Sequence, residues 1–323
     1  MTTKQSILGI DIGGTKILIG EVDLAGNVLQ SKSYPSDTTS QQTVVKTLLV
    51  ALQDYRDTIG FQSNNLLAAG VGVVGRVDSA NGIWLEIQPG KTVPTPLADI
   101  LGDFLGLPVV IENDVAAATA AEQRLGVGKE TKDFIYINVG TGIAAGTVID
   151  GKIVTGGHFN AGEIGHMVVD LESEIPCGCG RKGCVERIAS GLGLSEQIYG
   201  NVTKYPSTSL PVHTNERIAA DVIFRAAKEG DPLAAPIVDY AAKSLAAMTM
   251  NLVRTTDPEC VVFGGGVMQS DYFWNLFQSY LQSNTIRFVS KGIVRTTVSS
   301  KEVGLIGAAF IGQSALIEKS AIH

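Results

Sequence analysis

Apolar residues are gathered into short runs punctuated by glycine, beginning with "SILGIDIGGTKILIGEVDLAGNVLQ" (6–30). Such runs read as strands, here Ile7–Asp11 and Lys16–Val22, with a turn at Ala25–Asn27 leading to a third. The pattern returns in Asp133–Gly156: an apolar strand, a Gly-Thr-Gly turn, a Gly/Ala-rich strand, an Asp-Gly turn and a third strand. Two copies of one supersecondary unit predict two related α/β domains. The alternative is a pair of independent hairpin meanders, whose turns are common.

Between the copies, amphipathic spacing predicts a helix over Gln41–Ile59 and a second over Leu97–Leu105, with a strand at Leu67–Val74. "PVVIEND" (108–114) reads as a strand, followed by an alanine-rich helix over Val115–Leu125 able to pack closely. The second half is mostly helical, over Val185–Ile198, Asn215–Glu229, Pro232–Thr255 and Tyr272–Gln282. Strands fall at "CVVFGGG" (260–266) and Ile293–Val298, and an apolar helix runs over Val303–Glu318. Pro206–Thr214 reads as a surface loop. Alternating strands and helices imply mixed sheets covered by helices. No Pro/Ser-rich linker separates the halves. The expectation is a small domain, 1–115, with the C-terminal helix 303–323 packing back on it, and a larger one, 116–302, meeting it around a cleft.

Composition narrows the class. Of 323 residues, 45% are hydrophobic and 18% charged, too apolar for a disordered chain. The N-terminus lacks the features of a signal peptide, and no apolar run approaches a membrane span, so a soluble cytoplasmic protein is expected. A net charge of −7 without a basic cluster argues against nucleic acid as a partner.

Three turns offer bare backbone to an anion. "DIGGTK" follows Asp11 with Gly13, Gly14, Thr15 and Lys16; "NVGTG" places Gly140, Thr141 and Gly142 at the equivalent point of the second copy; "FGGG" supplies Gly264, Gly265 and Gly266. Glycine lets phosphate oxygens approach main-chain N–H groups, and threonine adds a hydroxyl donor. Tight hairpin turns alone would explain any one of them.

Three of the four cysteines fall within eight residues, in "EIGHMVVDLESEIPCGCGRKGCVE" (163–186). Cys177, Cys179 and Cys184 with His166 match a closed tetrahedral zinc site, and soft thiolates with imidazole favour zinc over magnesium or calcium. His158 is the rival fourth ligand, and a redox C-x-C the rival chemistry. Cys260, in an apolar strand, reads as a buried inert thiol.

The repeated turn motif resembles the superfamily of sugar kinases, actin and the heat-shock chaperones, which implies two RNase H-like (actin-like ATPase) domains around ATP. Asp11 would face metal-bound phosphates, Thr15 and Thr141 would line the phosphate path, and Gly265 and Gly266 would sit against the adenosine. "GEIGH…CGCGRKGCVE", with DIGGTK, END and "GLIGAA", resembles the ROK family of repressors, open reading frames and kinases over essentially the whole chain. That resemblance implies ATP and Mg²⁺, a structural Zn²⁺ in the larger domain, and Asp114 as the base that deprotonates a hexose hydroxyl. It also implies Asn113, Glu163, His166 and Glu186 as sugar partners, Gly75 as a backbone contact, and a homodimer or homotetramer. One nitrogen of His166 would bind metal while the other faces the sugar. By residue type alone, Asp114 could equally be a helix N-cap.

Two departures bear on the sugar. Val74 stands where the family usually has proline, and "WLEIQPGKTVPTPL" (84–97) replaces an Asn-x-x-Trp stretch. The resemblance implies that Glu163 weighs toward an unmodified hexose, since N-acetylmannosamine kinases of the family often vary at this glutamate, making glucose the favoured acceptor over N-acetylmannosamine or fructose. A sugar-binding repressor would carry a helix-turn-helix before the kinase-like body, and this sequence reaches its phosphate motif at Asp11.

Overall fold

The computed structural model describes residues 5–61, 65–88, 90, 93–214, 216–299 and 302–316. The chain runs through β1 (Ser6–Ile12), β2 (Lys16–Asp23), β3 (Val28–Pro35), α1 (Gln41–Thr58), β4 (Leu66–Val73), β5 (Arg76–Asp78) and β6 (Ile83–Glu86). It continues through α2 (Leu97–Leu105), β7 (Val109–Asn113), α3 (Asp114–Leu125), β8 (Phe134–Val139), β9 (Ile143–Ile149), β10 (Lys152–Ile153), α4 (Val185–Ala189) and α5 (Gly191–Asn201). Last come α6 (Ala220–Lys228), α7 (Ala234–Thr256), β11 (Cys260–Gly264), α8 (Asp271–Ser279), α9 (Ser283–Ile286), β12 (Ile293–Arg295) and α10 (Val303–Gly312).

Two compact units divide the chain. The first comprises 1–129, 153–161 and 297–323; the second comprises 130–152 and 162–296. These limits differ from 1–115 and 116–302 because α3 packs on α10, β4 and β7 and so falls wholly within the first unit. The segment Asn113–Ala116 therefore lies inside that unit. Of the final helix expected to reach 323, residues 317–323 lie outside the described residues.

The first unit's sheet has the order β3-β2-β1-β4-β7, with β1 antiparallel to β2 and parallel to β4, and β4 parallel to β7. The second unit's sheet has the order β10-β9-β8-β11-β12, with β8 antiparallel to β9 and parallel to β11, and β11 parallel to β12. The two orders correspond strand for strand, as the internal repeat predicted.

In each unit the central strand is apolar on both faces. Ile7, Leu8, Ile10 and Ile12 of β1 are fully buried, as are Phe134, Ile135, Ile137 and Val139 of β8. Close helix-on-sheet packing in the first unit rests on glycine: a Cβ on Gly70 would lie 1.8 Å from the Ala308 carbonyl oxygen of α10, and one on Gly9 2.4 Å from that of Leu305. The second core gathers α7, α6 and α8 around Phe224, Phe263, Phe273 and Phe277.

Two local differences from the sequence reading have clear causes. The helix expected over Val185–Ile198 is two helices, because Ser190 is extended and its side chain accepts from Gly193 N–H, capping α5. The paired strands β5 and β6 were not foreseen; both are only three or four residues long.

Candidate active site and metal centre

In the first unit, Asp11 sits near the end of β1, and the turn beyond it closes as Gly13 N–H donates to the Lys16 carbonyl at 2.9 Å. A Cβ on Gly304 would lie 2.4 Å from Asp11 Oδ2, so glycine there leaves room for the carboxylate. Burial pushes the Asp11 pKa up to about 6, against the opposing charge of Lys16. Gly13 and Gly14 do not have positive φ, and a Cβ would meet only the Lys16 oxygen at 3.5 Å from Gly13 and nothing within 4 Å at Gly14. Nothing inside the protein demands glycine at either place. Their missing side chains leave the turn open to close approach, with Thr15 and Lys16 exposed beside it.

Asp114 is the first residue of α3, and the cap is its neighbour. Asn113 Oδ1 accepts from Val115 N–H at 2.9 Å and Ala116 N–H at 3.2 Å, which overturns the capping alternative for Asp114. Asn113 Nδ2 donates to the Gly75 carbonyl at 2.9 Å. Gly75 itself has φ +89°, with the Glu86 oxygen 2.2 Å from where a Cβ would stand, so no other residue fits comfortably. A Cβ on Gly72 of β4 would sit 3.5 Å from Asp114 Cα and 3.8 Å from Asp11 Oδ1. Asp11 and Asp114 thus flank one glycine. Val74, the departure from the family pattern, accepts from the buried Trp84 indole at 3.0 Å. Pro89, Lys91 and Thr92 of the second departure lie outside the described residues.

In the second unit, the Gly140–Gly142 turn closes on itself at 2.9 Å and is docked on the start of α5, where Gly191 N–H donates to Gly140 at 2.9 Å and Leu192 N–H to Thr141 at 3.2 Å. Arg217 Nη1 donates to Thr141 Oγ1 at 3.1 Å. Gly265 has φ +88° and presses on Val139, whereas Gly266 has open space. Glu186, in α4, accepts from Ile143 N–H at 2.9 Å, and its Oε2 lies 2.5 Å from a Cβ built on Gly142 and 3.2 Å from one on Gly165. The carboxylate is wedged between the glycine turn and the turn that carries His166.

His166 Nδ1 lies 3.3 Å from Cys177 Sγ, and its Nε2 faces Glu163 Oε2 at 3.7 Å. Cys179 and Cys184 sulfurs are 3.6 Å apart, and the ligand atoms of all four residues lie within 4.8 Å of one another. Zinc–sulfur and zinc–nitrogen bonds of about 2.3 and 2.0–2.1 Å at a tetrahedral angle would put sulfurs about 3.8 Å apart and sulfur about 3.5 Å from nitrogen. The donor set fits. Burial pushes the Cys184 thiol up to about 12, so a cation is needed to hold it as thiolate. Gly180 and Gly183 carry the loop through φ +87° and +72°, and Arg181 Nη2 donates to the His166 carbonyl at 2.5 Å. His158 is not in the cluster; among the described residues the ring that joins the cysteines is His166. Glu163 is half-exposed, its pKa raised by burial, lowered by His166 and raised by Glu186.

Sequence reasoning missed Arg217 and Gly191, and it gave no role to Gly304, the first residue of "GLIGAA". The "SGLG" punctuation at 190–193 is a usable signal for Gly191, but nothing in the spacing announces Arg217 or the approach of Gly304 to Asp11.

Among the described residues, no helix is long and apolar enough to cross a membrane. The N-acetylmannosamine kinase of Shigella flexneri is 30% identical over 312 residues, covering 96% of this chain and 99% of that protein. A ROK family glucokinase from Streptomyces griseus, solved in complex with glucose and AMPPNP, aligns with a TM-score of 0.78 at 28% identity, covering 96% and 99% of the two chains. A ROK family transcriptional regulator, described as a homolog of the E. coli MLC protein, aligns with a TM-score of 0.83 at 25% identity, covering 99% of this chain and 82% of that one. The ROK family model matches residues 7–315, and with the glycine turns, the capped Asp114 and the Cys3His loop all in place, this chain belongs to the ROK family.

Proposed function

We propose that the protein is an ATP-dependent sugar kinase whose acceptor is a hexose, with glucose favoured, and that it works in the cytoplasm. The observation that carries the reading is the orientation of His166. Its Nδ1 is committed to the thiols and its Nε2 points at Glu163, beside Glu186. Two carboxylates and an oriented imidazole suit adjacent sugar hydroxyls. Zinc at Cys177, Cys179, Cys184 and His166 would fix the ring and stiffen its loop.

Asp114 takes the hydroxyl proton as base. Helix dipole and Asn113 cap keep its position at the start of α3. Asp11 is the group placed to hold Mg²⁺, which when bound would neutralise the phosphate charge. The Gly13–Lys16 and Gly140–Gly142 turns and Gly265–Gly266 bind the nucleotide. Kinases for glucose and for N-acetylmannosamine resemble the chain about equally, and Glu163 is the residue that favours the unmodified sugar.

A coupled ADP-release assay across hexoses and N-acetylhexosamines tests this, with Asp114→Asn alongside. Glucose is expected to give the highest kcat/KM, and Asp114→Asn to lower kcat by about 10²–10⁴ while sugar still binds. Preference for N-acetylmannosamine would reject glucose, and near-normal turnover by the folded variant would reject Asp114 as base. A chain that binds sugar without releasing ADP would return the repressor reading, which the likeness to the regulator favours.

A further inference from the structure

Arg217 was not among the residues the motifs single out, and it has an unusual position. Its guanidinium is exposed, and its bond to Thr141 Oγ1 leaves four of its five N–H donors to be used. A Cβ on Gly191 would lie 2.6 Å from Nη2, so glycine at the start of α5 is what lets the guanidinium lie there. No carboxylate of the described residues pairs with it. A long side chain fixed over a turn without an ion pair gives up rotamer freedom for little return within the protein alone.

The cavity beneath it, of about 470 Å³, is lined by Gly140, Thr141, Gly191, Arg217, Asp221 and Gly266. Gly140 and Gly266 have no positive φ, and a Cβ would meet only Asn138 Nδ2 at 3.6 Å from Gly140 and nothing within 4 Å at Gly266. Bare backbone at Gly140 and Gly266 and the cation of Arg217 thus face the cavity, beside the apolar Ala219, Ala220 and Val267. Asp221 also lines a neighbouring cavity of about 380 Å³ that Lys228 and Tyr272 border, and Gly266 is common to both. A carboxylate there repels phosphate and accepts hydroxyl donors, which gives the groove a polarity.

Building on the kinase reading above, we infer that Arg217 binds the phosphates of the nucleotide donor, holding them over the Gly-Thr-Gly turn with the ribose directed toward Asp221. The planar fork of donors matches phosphate oxygens, and Thr141 Oγ1 pre-positions it.

Calorimetry of the full chain with ADP and with adenosine tests the assignment in wild type, Arg217→Ala and Arg217→Lys. Arg217→Ala is expected to weaken ADP about ten- to hundredfold and leave adenosine and the sugar KM unchanged, with Arg217→Lys recovering part of the loss. Unchanged ADP affinity in Arg217→Ala overturns the inference and spares the kinase reading. Equal losses for ADP and adenosine also overturn it, since they would trace to groove shape rather than phosphate. A wild type with no affinity for ADP overturns the kinase reading together with it.

Discussion

At the residue scale, Asp11 shows function set against stability. Its pKa is raised to about 6 by burial, so the fold favours the protonated acid. Between the ordinary value of 3.8 and about 6 the native chain holds a proton that the unfolded chain has released. Stability therefore falls as pH rises through that window, and the cost is fully present above it. Asp11→Asn removes the buried charge. It is expected to raise Tm by a few degrees at pH 8, to give no gain at pH 3.5, and to abolish ATP turnover at every pH. In the wild type, kcat/KM for ATP should drop as pH falls below about 6. Scanning calorimetry at the two pH values, beside the pH–rate profile, reads both effects. A variant less stable at pH 8 would mean that the carboxylate supports the fold rather than straining it.

At the element scale, much of the loop between the turn at His166 and α4 is exposed, Leu171 almost wholly. Short backbone bridges join Val168 to Cys184 and Pro176 to Lys182, and Cys179 is exposed. Metal binding is then expected to supply much of the loop's order. Elemental analysis is expected to find one zinc per chain in the wild type and none in Cys179→Ser, which should also bind sugar more weakly because His166 is no longer held. Normal sugar affinity in a metal-free variant would separate the loop from the acceptor site. This element also shows what a sequence discloses. The Cys3His spacing was legible because metal ligation demands particular atoms at short separations, and the strand repeat because apolar runs between glycines admit few other readings. The break at Ser190 was not, since a capping serine competes with helix continuation only once Gly191 N–H finds the Gly140 carbonyl. Nor was the contact of Gly304 with Asp11, which joins residues almost 300 positions apart.

At the scale of the whole molecule, the proposed chemistry draws on both units. Asp11 and Asp114 belong to the first, and Glu163, His166, Glu186 and the Arg217 groove to the second. In-line phosphoryl transfer needs its reacting atoms within about 3–3.5 Å, with water kept from competing for the phosphate. Sites that admit two substrates and then exclude water commonly close by movement of whole units. Sugar is therefore expected to draw the units together, with the chain's passages between them, at 129–130, 152–153, 161–162 and 296–297, absorbing the change. Small-angle scattering with and without saturating sugar should show a smaller radius of gyration in the bound state. The same measurement on Asp114→Asn separates closure from catalysis, since that variant should still bind sugar and close. An unchanged radius in a wild type that turns over normally would show that transfer proceeds without sugar-driven closure.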